Sequence, residues 1–354
     1  MSRAEWMPPM RSTRHLLLLA CLLLSAPLTV LASDPCPLLR AQVDAPDPAT
    51  RLAAAACEEH LLWHRPFIDV EGRYAGSTVR EAETALLTNG EQAWRRVAGY
   101  WRGAGQLSQL QHRPGAYDCM FAPTSSQPSP ACRSFLVDVP WSAAFVSWVA
   151  RRAALPGFNG SPSHVDYVRN AYRSPEASAY RVADPMAARP ARGDMLCYVR
   201  AANRVFGFAG LATLLSSEDG GLGMHCDIVV GVESGQAQLV GGNVLDGVTM
   251  RLMPLTAGGQ FAALAQRGLD DPPCSPDAPQ ACNANRQDWA VMLQLRPANE
   301  LAALSPSPGL YVAPPPMPVV PDVLQPGQST PRPQTAPCCV ECSAGDGLPR
   351  CPGV

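Results

Sequence analysis

The stretch WSAAFVSWV at residues 141–149 decides the fold of this chain, since helical spacing and a potential nucleophile meet in it. Its pattern predicts a helix from Trp141 to Ala153 that packs on a core. Ser142 then lies at the start of this helix. A hydroxyl in that position either caps the helix or acts as a nucleophile beside a base.

Helical spacing also marks the chain before and after this stretch. Residues 50–64 and 79–102 carry it, with a turn signal at Asn89-Gly90 inside the second segment. A loop region is expected from there to about residue 137. A shorter helix fits Ser163 to Ala171.

Strand signals dominate the later part of the chain. Met195 to Val199 follows an Arg-Gly-Asp turn, and four further strands fit residues 227–232, 237–240, 248–252 and 289–295. Helices followed by a run of antiparallel strands predict an α+β fold.

The first 32 residues have the layout of a secretory signal peptide. An apolar run at residues 16–32 follows Arg11 and Arg14 and ends in Val-Leu-Ala, which suits signal peptidase. The run is short for a membrane span and contains Pro27. We expect cleavage after Ala32 and a periplasmic or secreted protein, attached to a membrane only if the signal stays uncleaved.

The C-terminal region differs in composition from the rest. Residues 303–337 are rich in proline and predict a stiff disordered linker, and residues 338–354 form a cysteine-rich tail. The folded α+β domain is therefore expected at residues 33–302, with its core at about 137–256.

Composition excludes several functions. A net charge of −2 gives no electrostatic basis for binding nucleic acid or an anionic membrane. The absence of lysine excludes Schiff-base chemistry.

Thirteen cysteines in an exported chain favour disulfides over free thiols. Two pairs bracket short loops and are expected to bond, namely Cys119 with Cys132 and Cys274 with Cys282.

Three separated stretches supply the chemistry. Ser142 starts a helix, His225 starts an apolar strand, and Asn243 ends the next strand. A nucleophile at a helix N-terminus, a base on a facing strand and a polar residue that orients the base form a papain-type site. Asp227 lies two residues after His225, on the same face of the strand, and is the other candidate for orienting it.

Four motifs in register resemble those of bacterial cell-wall amidases and endopeptidases of the NlpC and CHAP kinds. They are WSAAFVSWV (141–149), RPARGDMLCYV (189–199), MHCDIVVGV (224–232) and LVGGNV (239–244). Together with the preceding WRRVAGYW, they also resemble a narrower bacterial group, the domain of unknown function DUF 2272. The resemblance implies a papain-like fold, with N-terminal helices packed on an antiparallel sheet or half-barrel.

The chain departs from the resembled enzymes at the nucleophile. Ser142 stands where they carry cysteine, and Asp227 replaces a glycine. A thiol beside an imidazolium ionises near neutral pH, whereas a serine needs an aligned general base during attack. The resemblance then implies an amidase, peptidase or esterase acting on peptidoglycan-type peptides, with Ser142, His225 and either Asp227 or Asn243 as catalytic residues.

Two other functions stay open. A catalytically inactive pseudoenzyme would use the same cleft to bind peptidoglycan or an envelope partner. An envelope scaffold would recruit its partner through the proline-rich tail. Purely structural roles also remain for three of the site residues, with Ser142 as a helix cap, His225 as a core histidine and Asn243 as a hairpin residue.

The remaining expectations concern the cleft and its surroundings. Trp141, next to the nucleophile, and His164, near the cleft of related scaffolds, are assigned to substrate binding. The related scaffold also makes the strands of Cys197 and Cys226 neighbours, so these form either a buried disulfide or two core thiols.

No metal or cofactor is implied. His60 and His64 lie four residues apart on a predicted helix, but without the His-Glu-x-x-His order of zinc proteases. The four terminal cysteines suit disulfides better than zinc in an oxidising compartment.

Overall fold

The computed structural model describes residues 34–76, 79–122, 129–201, 203–217, 221–262 and 264–304. The predicted signal peptide, nearly all of the proline-rich segment and the cysteine-rich tail lie outside these residues.

The described residues contain nine α-helices and eight strands. The helices are α1 Cys36–Leu39, α2 Pro48–Leu62, α3 Ala93–Gly103, α4 Ala116–Cys119, α5 Pro130–Asp138, α6 Ser142–Arg152, α7 His164–Arg173, α8 Gly207–Ser216 and α9 Ala298–Ala303. The strands are β1 Phe67–Ile68, β2 Tyr74–Ala75, β3 Tyr180–Ala183, β4 Met195–Val199, β5 Met224–Glu233, β6 Gln236–Val244, β7 Gly247–Pro254 and β8 Asp288–Leu295.

The strands form a single mixed sheet in the order β2-β1-β7-β6-β5-β4-β8-β3. All neighbouring strands run antiparallel except the short β1, which pairs parallel to β7. The α+β class is confirmed, and the sheet is mixed where a purely antiparallel one was expected.

Helices cover one face of the sheet and enclose the main core. Strand β6 packs on α6, and α2 contacts β5. Trp63 and Tyr100 stack on the ring of Trp141 in this layer, with centroids 5.8 and 5.5 Å away. A smaller apolar cluster covers the other face, and it includes Leu196, Val229, Leu239, Met292 and Trp289.

Capping residues explain where two helices begin. Asp47 accepts the N–H of Thr50 at the start of α2, and Ser129 accepts that of Cys132 at the start of α5. Each cap is followed by proline, which suits the first helical position. The expected loop up to residue 137 is therefore wrong for α5, which the Ser-Pro signal could have revealed.

The predicted helix at 79–102 is only half correct. Helix α3 occupies 93–103, and the chain before it forms a tight turn at Asn89-Gly90. Gly90 has φ +82° there, and Asn89 accepts the N–H of Glu91 through its side chain. The turn chemistry overrides the helical spacing of the preceding residues.

Four disulfides join described residues. The expected pairs Cys119–Cys132 and Cys274–Cys282 are confirmed. Cys197 and Cys226 form the disulfide of the two alternatives, and Cys36–Cys57 was not anticipated. Cys197 faces Cys226 directly across the β4–β5 ladder. Four disulfides are consistent with a periplasmic or extracellular protein. None of the helices in the described ranges is both long and apolar enough to cross a bilayer.

Candidate active site

Close packing of α6 on the sheet positions Ser142. A Cβ added to Gly242 of β6 would lie only 2.4 Å from the Phe145 ring, so this glycine permits the helix to approach the strand. Ser142 is the first residue of α6 and therefore lies at the N-terminus of the helix, the end that carries partial positive charge.

The Ser142 hydroxyl is hydrogen-bonded to His164. Its Oγ lies 2.6 Å from Nε2 of that imidazole, and Nδ1 of the same ring is hydrogen-bonded to the phenol of Tyr167. His164 opens helix α7, and Tyr167 lies one turn later on the same face. Both ring nitrogens are thus engaged, which fixes the orientation of the imidazole.

The environment keeps His164 neutral. Burial lowers the pKa of His164 well below its usual value, and the charges of His225 and Arg200 lower it further, while Asp227 raises it. A neutral imidazole that contacts a serine hydroxyl can accept its proton.

A second imidazole belongs to a buried ion-pair chain. Nε2 of His225 lies 2.7 Å from Oδ1 of Asp227, and Nε of Arg251 donates to Oδ2 of the same carboxylate at 3.0 Å. Burial alone would raise the pKa of Asp227, but the charges and hydrogen bonds of His225 and Arg251 hold it well below its usual range. The carboxylate is therefore ionised in the interior.

The His225–Asp227 contact depends on a glycine of the next strand. A Cβ on Gly241 would lie 1.9 Å from Oδ1 of Asp227 and 3.0 Å from Nε2 of His225. Only glycine leaves room for the two side chains to meet.

The expected hydrogen bond between Ser142 and His225 is not made. The hydroxyl bonds to His164 instead, and Nδ1 of His225 has no partner within the described part of the chain. The two imidazoles are nevertheless neighbours, with 5.4 Å between their centroids. The start of α7 brings His164 to the hydroxyl, a contact that depends on how two helices pack.

Asn243 forms no hydrogen bond with either imidazole, whereas Asp227, the other expected candidate, contacts that of His225. With its amide oriented to satisfy both neighbours, Asn243 donates to Oε2 of Glu81 at 3.1 Å and accepts the backbone N–H of Trp141 at 3.0 Å. Its φ of +56° suits a residue at the end of a strand. Asn243 therefore fixes the entry into α6.

Trp141, which the sequence assigned to substrate binding, is fully buried and is not among the residues that line the groove described below. Its indole N–H donates to Oε2 of Glu81 at 2.5 Å. Burial raises the pKa of Glu81 to about 7, against the effect of this hydrogen bond. The Glu81–Trp141–Asn243 cluster therefore holds the residue that directly precedes Ser142.

A groove of about 460 Å³ opens at Ser142. Its lining is mostly apolar and includes His164, Ala143 and Met224. Two cationic side chains, Arg113 and Arg200, also line it. A volume of this size can hold a small acyl substrate or a short peptide segment.

His60 on α2 and His64, two residues after the end of that helix, are hydrogen-bonded to backbone carbonyls. Nε2 of His60 donates to the carbonyl of Pro66, and that of His64 to the carbonyl of Leu86, both at 2.9 Å. Among the described residues, one group of potential metal ligands clusters, consisting of Asp34, Cys36 and His60. The sulfur of Cys36 is bonded to Cys57, so this cluster lacks a thiolate.

Four residues of the site were not identified from sequence. Tyr167 follows His164 by three positions on a predicted helix, which is a signal that could have linked them. Arg251 and Glu81 carry no local signal, because each reaches the site from a separate part of the chain. Gly241 lies in the LVGGNV motif, but its close approach to Asp227 and His225 depends on the pairing of β5 with β6.

Comparison with known proteins gives one result. A family profile described as "Uncharacterized protein conserved in bacteria (DUF2272)" matches residues 88–295, more than half of the 354-residue chain. No curated protein and no solved structure matches the chain.

Proposed function

This chain belongs to the DUF2272 family of bacterial proteins, and from that premise we propose that it is an exported acyl hydrolase with a papain-like fold. Ser142 would attack an amide or ester carbonyl, in peptidoglycan-type peptides above all. The observation that carries this proposal is the 2.6 Å hydrogen bond between Ser142 Oγ and His164 Nε2 beside an open groove.

His164 is the general base of the proposed reaction. With its proton on Nδ1, donated to the Tyr167 oxygen, Nε2 accepts the Ser142 proton as Oγ attacks the carbonyl carbon. The protonated Nε2 then delivers that proton to the departing nitrogen or oxygen as the acyl bond breaks. Water attacks the resulting acyl-enzyme with His164 again as base, which releases the acid and restores Ser142.

The buried Asp227 carboxylate supports this cycle. Its negative charge raises the pKa of His164, so it stabilises the imidazolium that forms during attack. His225 lies between Asp227 and His164, since it contacts the carboxylate directly and its ring neighbours that of His164. His225 and Asp227 thus belong to the proposed site, where they act on His164 and not directly on Ser142.

The start of α6 would stabilise the oxyanion. The first N–H groups of a helix have no intrahelical partner, and those of Ser142 and Ala143 begin this one. Asn243 occupies the preceding N–H of Trp141 and so fixes the geometry of the turn. Partial positive charge at this terminus favours a developing negative oxygen.

The state of His164 accounts for serine in a site that resembles those of thiol enzymes. A cysteine nucleophile needs an imidazolium partner to become a thiolate. A histidine whose pKa lies well below its usual value does not supply that positive charge at neutral pH. It suits a hydroxyl, which loses its proton only during attack.

One observation favours a second function. The side chains around the nucleophile are almost inaccessible, since Ser142 is 3% exposed and His225 is 1% exposed. A cleft so closed at its base would also serve a pseudoenzyme that binds peptidoglycan or an envelope partner without turnover.

Hydrolysis assays separate the two functions. The chain beginning after Ala32 would be incubated with peptidoglycan fragments and p-nitrophenyl esters, beside Ser142→Ala and His164→Gln. Removing either partner should lower turnover by about 10²–10⁴-fold. Ser216→Ala, a serine on the exposed face of α8, is the control and should leave turnover unchanged.

The variant Ser142→Cys tests the argument about His164. We expect no gain in activity, because a neutral imidazole does not generate the thiolate. Undiminished hydrolysis by Ser142→Ala would exclude the proposed nucleophile. Tight binding of peptidoglycan fragments without turnover in any variant would support the pseudoenzyme.

A further inference from the structure

We infer that the groove binds substrates that carry a free carboxylate, through Arg113 and Arg200. This inference rests on the proposed acyl hydrolase and names its substrate class. A carboxyl-terminal or acidic peptide fits it, whereas a neutral lipid ester does not.

Arg200 lies beside the proposed base. It directly follows β4, and its backbone N–H donates to the carbonyl of Gly223 at 2.7 Å, which fixes the chain at the groove wall. Its positive charge contributes to the lowered pKa of His164, so the guanidinium acts on the reacting centre. Its side chain is exposed and has no carboxylate partner among the described residues.

Arg113 reaches the groove from an earlier segment of the chain, before α6. It lies in the turn after the 3₁₀ helix Leu107–Leu110, and its N–H donates to the carbonyl of Leu110 at 2.8 Å. Its exposed guanidinium likewise forms no ion pair within the part of the chain described here. The groove thus carries two arginines from separate elements.

No acidic residue among those described lines this groove. Many other arginines of the chain are paired with carboxylates, as Arg65, Arg152, Arg181 and Arg286 are. Two unpaired cations in a groove attract an anion, even in a chain whose net charge is −2. A guanidinium offers paired N–H donors that match a carboxylate in both geometry and charge.

Apolar side chains set the rest of the specificity. Leu110, Val139, Leu222 and Met224 share the groove with the two arginines. The combination suits a substrate with a short apolar segment at the reacting carbonyl and a carboxylate within reach of a guanidinium. Phosphate or sulfate ions would bind the same guanidinium donors as competitors, but they contain no acyl carbon for Ser142 to attack.

Matched ester pairs test the inference. On the acyl side, p-nitrophenyl hydrogen glutarate is compared with p-nitrophenyl valerate, and on the leaving-group side 4-acetoxybenzoate is compared with 4-acetoxybenzamide. We expect kcat/KM to favour the carboxylate member of at least one pair by about tenfold at low ionic strength. Arg200→Gln or Arg113→Gln should remove that preference, which is measured as the ratio of kcat/KM between the two members of a pair, so that a general loss of activity cancels. Arg102→Gln removes an exposed arginine of α3 outside the groove lining. This control should change neither the preference for the carboxylate ester nor the rate of hydrolysis.

Binding to Ser142→Ala separates failure of this inference from failure of the hydrolase. Equilibrium binding of 4-acetamidobenzoate and 4-acetamidobenzamide to this variant requires no turnover. Tighter binding of the carboxylate, lost in a Ser142→Ala/Arg200→Gln protein, supports the inference even if no ester is hydrolysed. Equal binding of both compounds, or binding of neither, would overturn it, as would equal hydrolysis within both ester pairs.

Discussion

The imidazole rings of His164 and His225 lie side by side, with 5.4 Å between their centroids and 52° between their planes. One ring contacts the Ser142 hydroxyl, and the other contacts the Asp227 carboxylate. Because two imidazolium ions at this separation repel each other, a positive charge on His225 lowers the pKa of His164. The pair therefore links the Ser142 hydroxyl electrostatically to a buried ion pair.

The pH dependence of hydrolysis should reveal which histidine state is active. The pKa of His164 is lowered, so its neutral form is present at neutral pH and is lost only as pH falls through that lowered pKa. We expect kcat/KM to stay high below the ordinary histidine pKa of about 6.5. A pH–rate profile of ester hydrolysis checks this, and an acid limb centred at or above 6.5 would contradict it.

Tyr167 should act as a positioning residue for His164. Tyr167→Phe removes the partner of Nδ1 and frees the ring to rotate, so we expect kcat to fall about tenfold and the acid limb of the pH profile to move. The loss of one buried hydrogen bond should lower stability by about 1 kcal/mol. Tyr172→Phe, on the exposed face of the same helix, should alter neither quantity.

Breaking the buried ion pair should destabilise the fold. Asp227→Asn removes the negative partner of Arg251, whose guanidinium stays buried with 3% of its side chain exposed. We expect the free energy of unfolding in urea to fall by about 3–5 kcal/mol. Asp271→Asn breaks the more exposed pair with Arg286 and should cost under about 1 kcal/mol. Equal losses in both variants would argue against an ionised Asp227.

Glu81 should make stability depend on pH near neutrality. Its pKa is about 7 in the folded protein against 4.5 ordinarily, so the folded state holds a proton that the unfolded state has lost between these values. Its contribution is complete below pH 4.5 and is lost as pH rises through 7. Glu81→Gln stays neutral and can keep the contacts with Trp141 and Asn243.

The variant should therefore gain stability over the wild type as pH rises. We expect the difference in unfolding free energy to grow by up to about 3 kcal/mol between about pH 4.5 and pH 8. Urea unfolding of both proteins at the two pH values measures this difference, and groups common to both proteins cancel. A constant difference would show that Glu81 is ionised throughout.

A methyl group added at the buried Gly241 should disrupt the site. In Gly241→Ala the new Cβ would lie 1.9 Å from Asp227 Oδ1, so the carboxylate must move away from His225. We expect turnover to fall at least tenfold and stability to drop by about 1–3 kcal/mol. Gly99→Ala in α3 meets no atom within 4 Å and should be neutral or slightly stabilising. Wild-type activity in Gly241→Ala would remove the His225–Asp227 contact from the proposed mechanism.

Local pattern was sufficient for most elements but not for their contacts. The helix starting at Ser142 and the strands β4 to β8 follow from spacing and turn residues that lie within each segment. The two-residue strands β1 and β2 carry too little pattern, and they exist because β7 offers an edge to pair with. The pairing of Cys36 with Cys57 likewise depends on α1 packing against α2.

The features of the site also divide into those that local sequence predicts and those that depend on tertiary contacts. Sequence alone determined that Ser142 begins a helix and that His225 and Asp227 share one face of a strand, since both are properties of neighbouring residues. Only the tertiary structure decided that His164 meets the hydroxyl, that Arg251 neutralises Asp227 and that Asn243 supports Trp141 instead of an imidazole. These contacts join elements far apart in the chain. Their geometry is set by how helices pack on the sheet, through close approaches such as the one at Gly242.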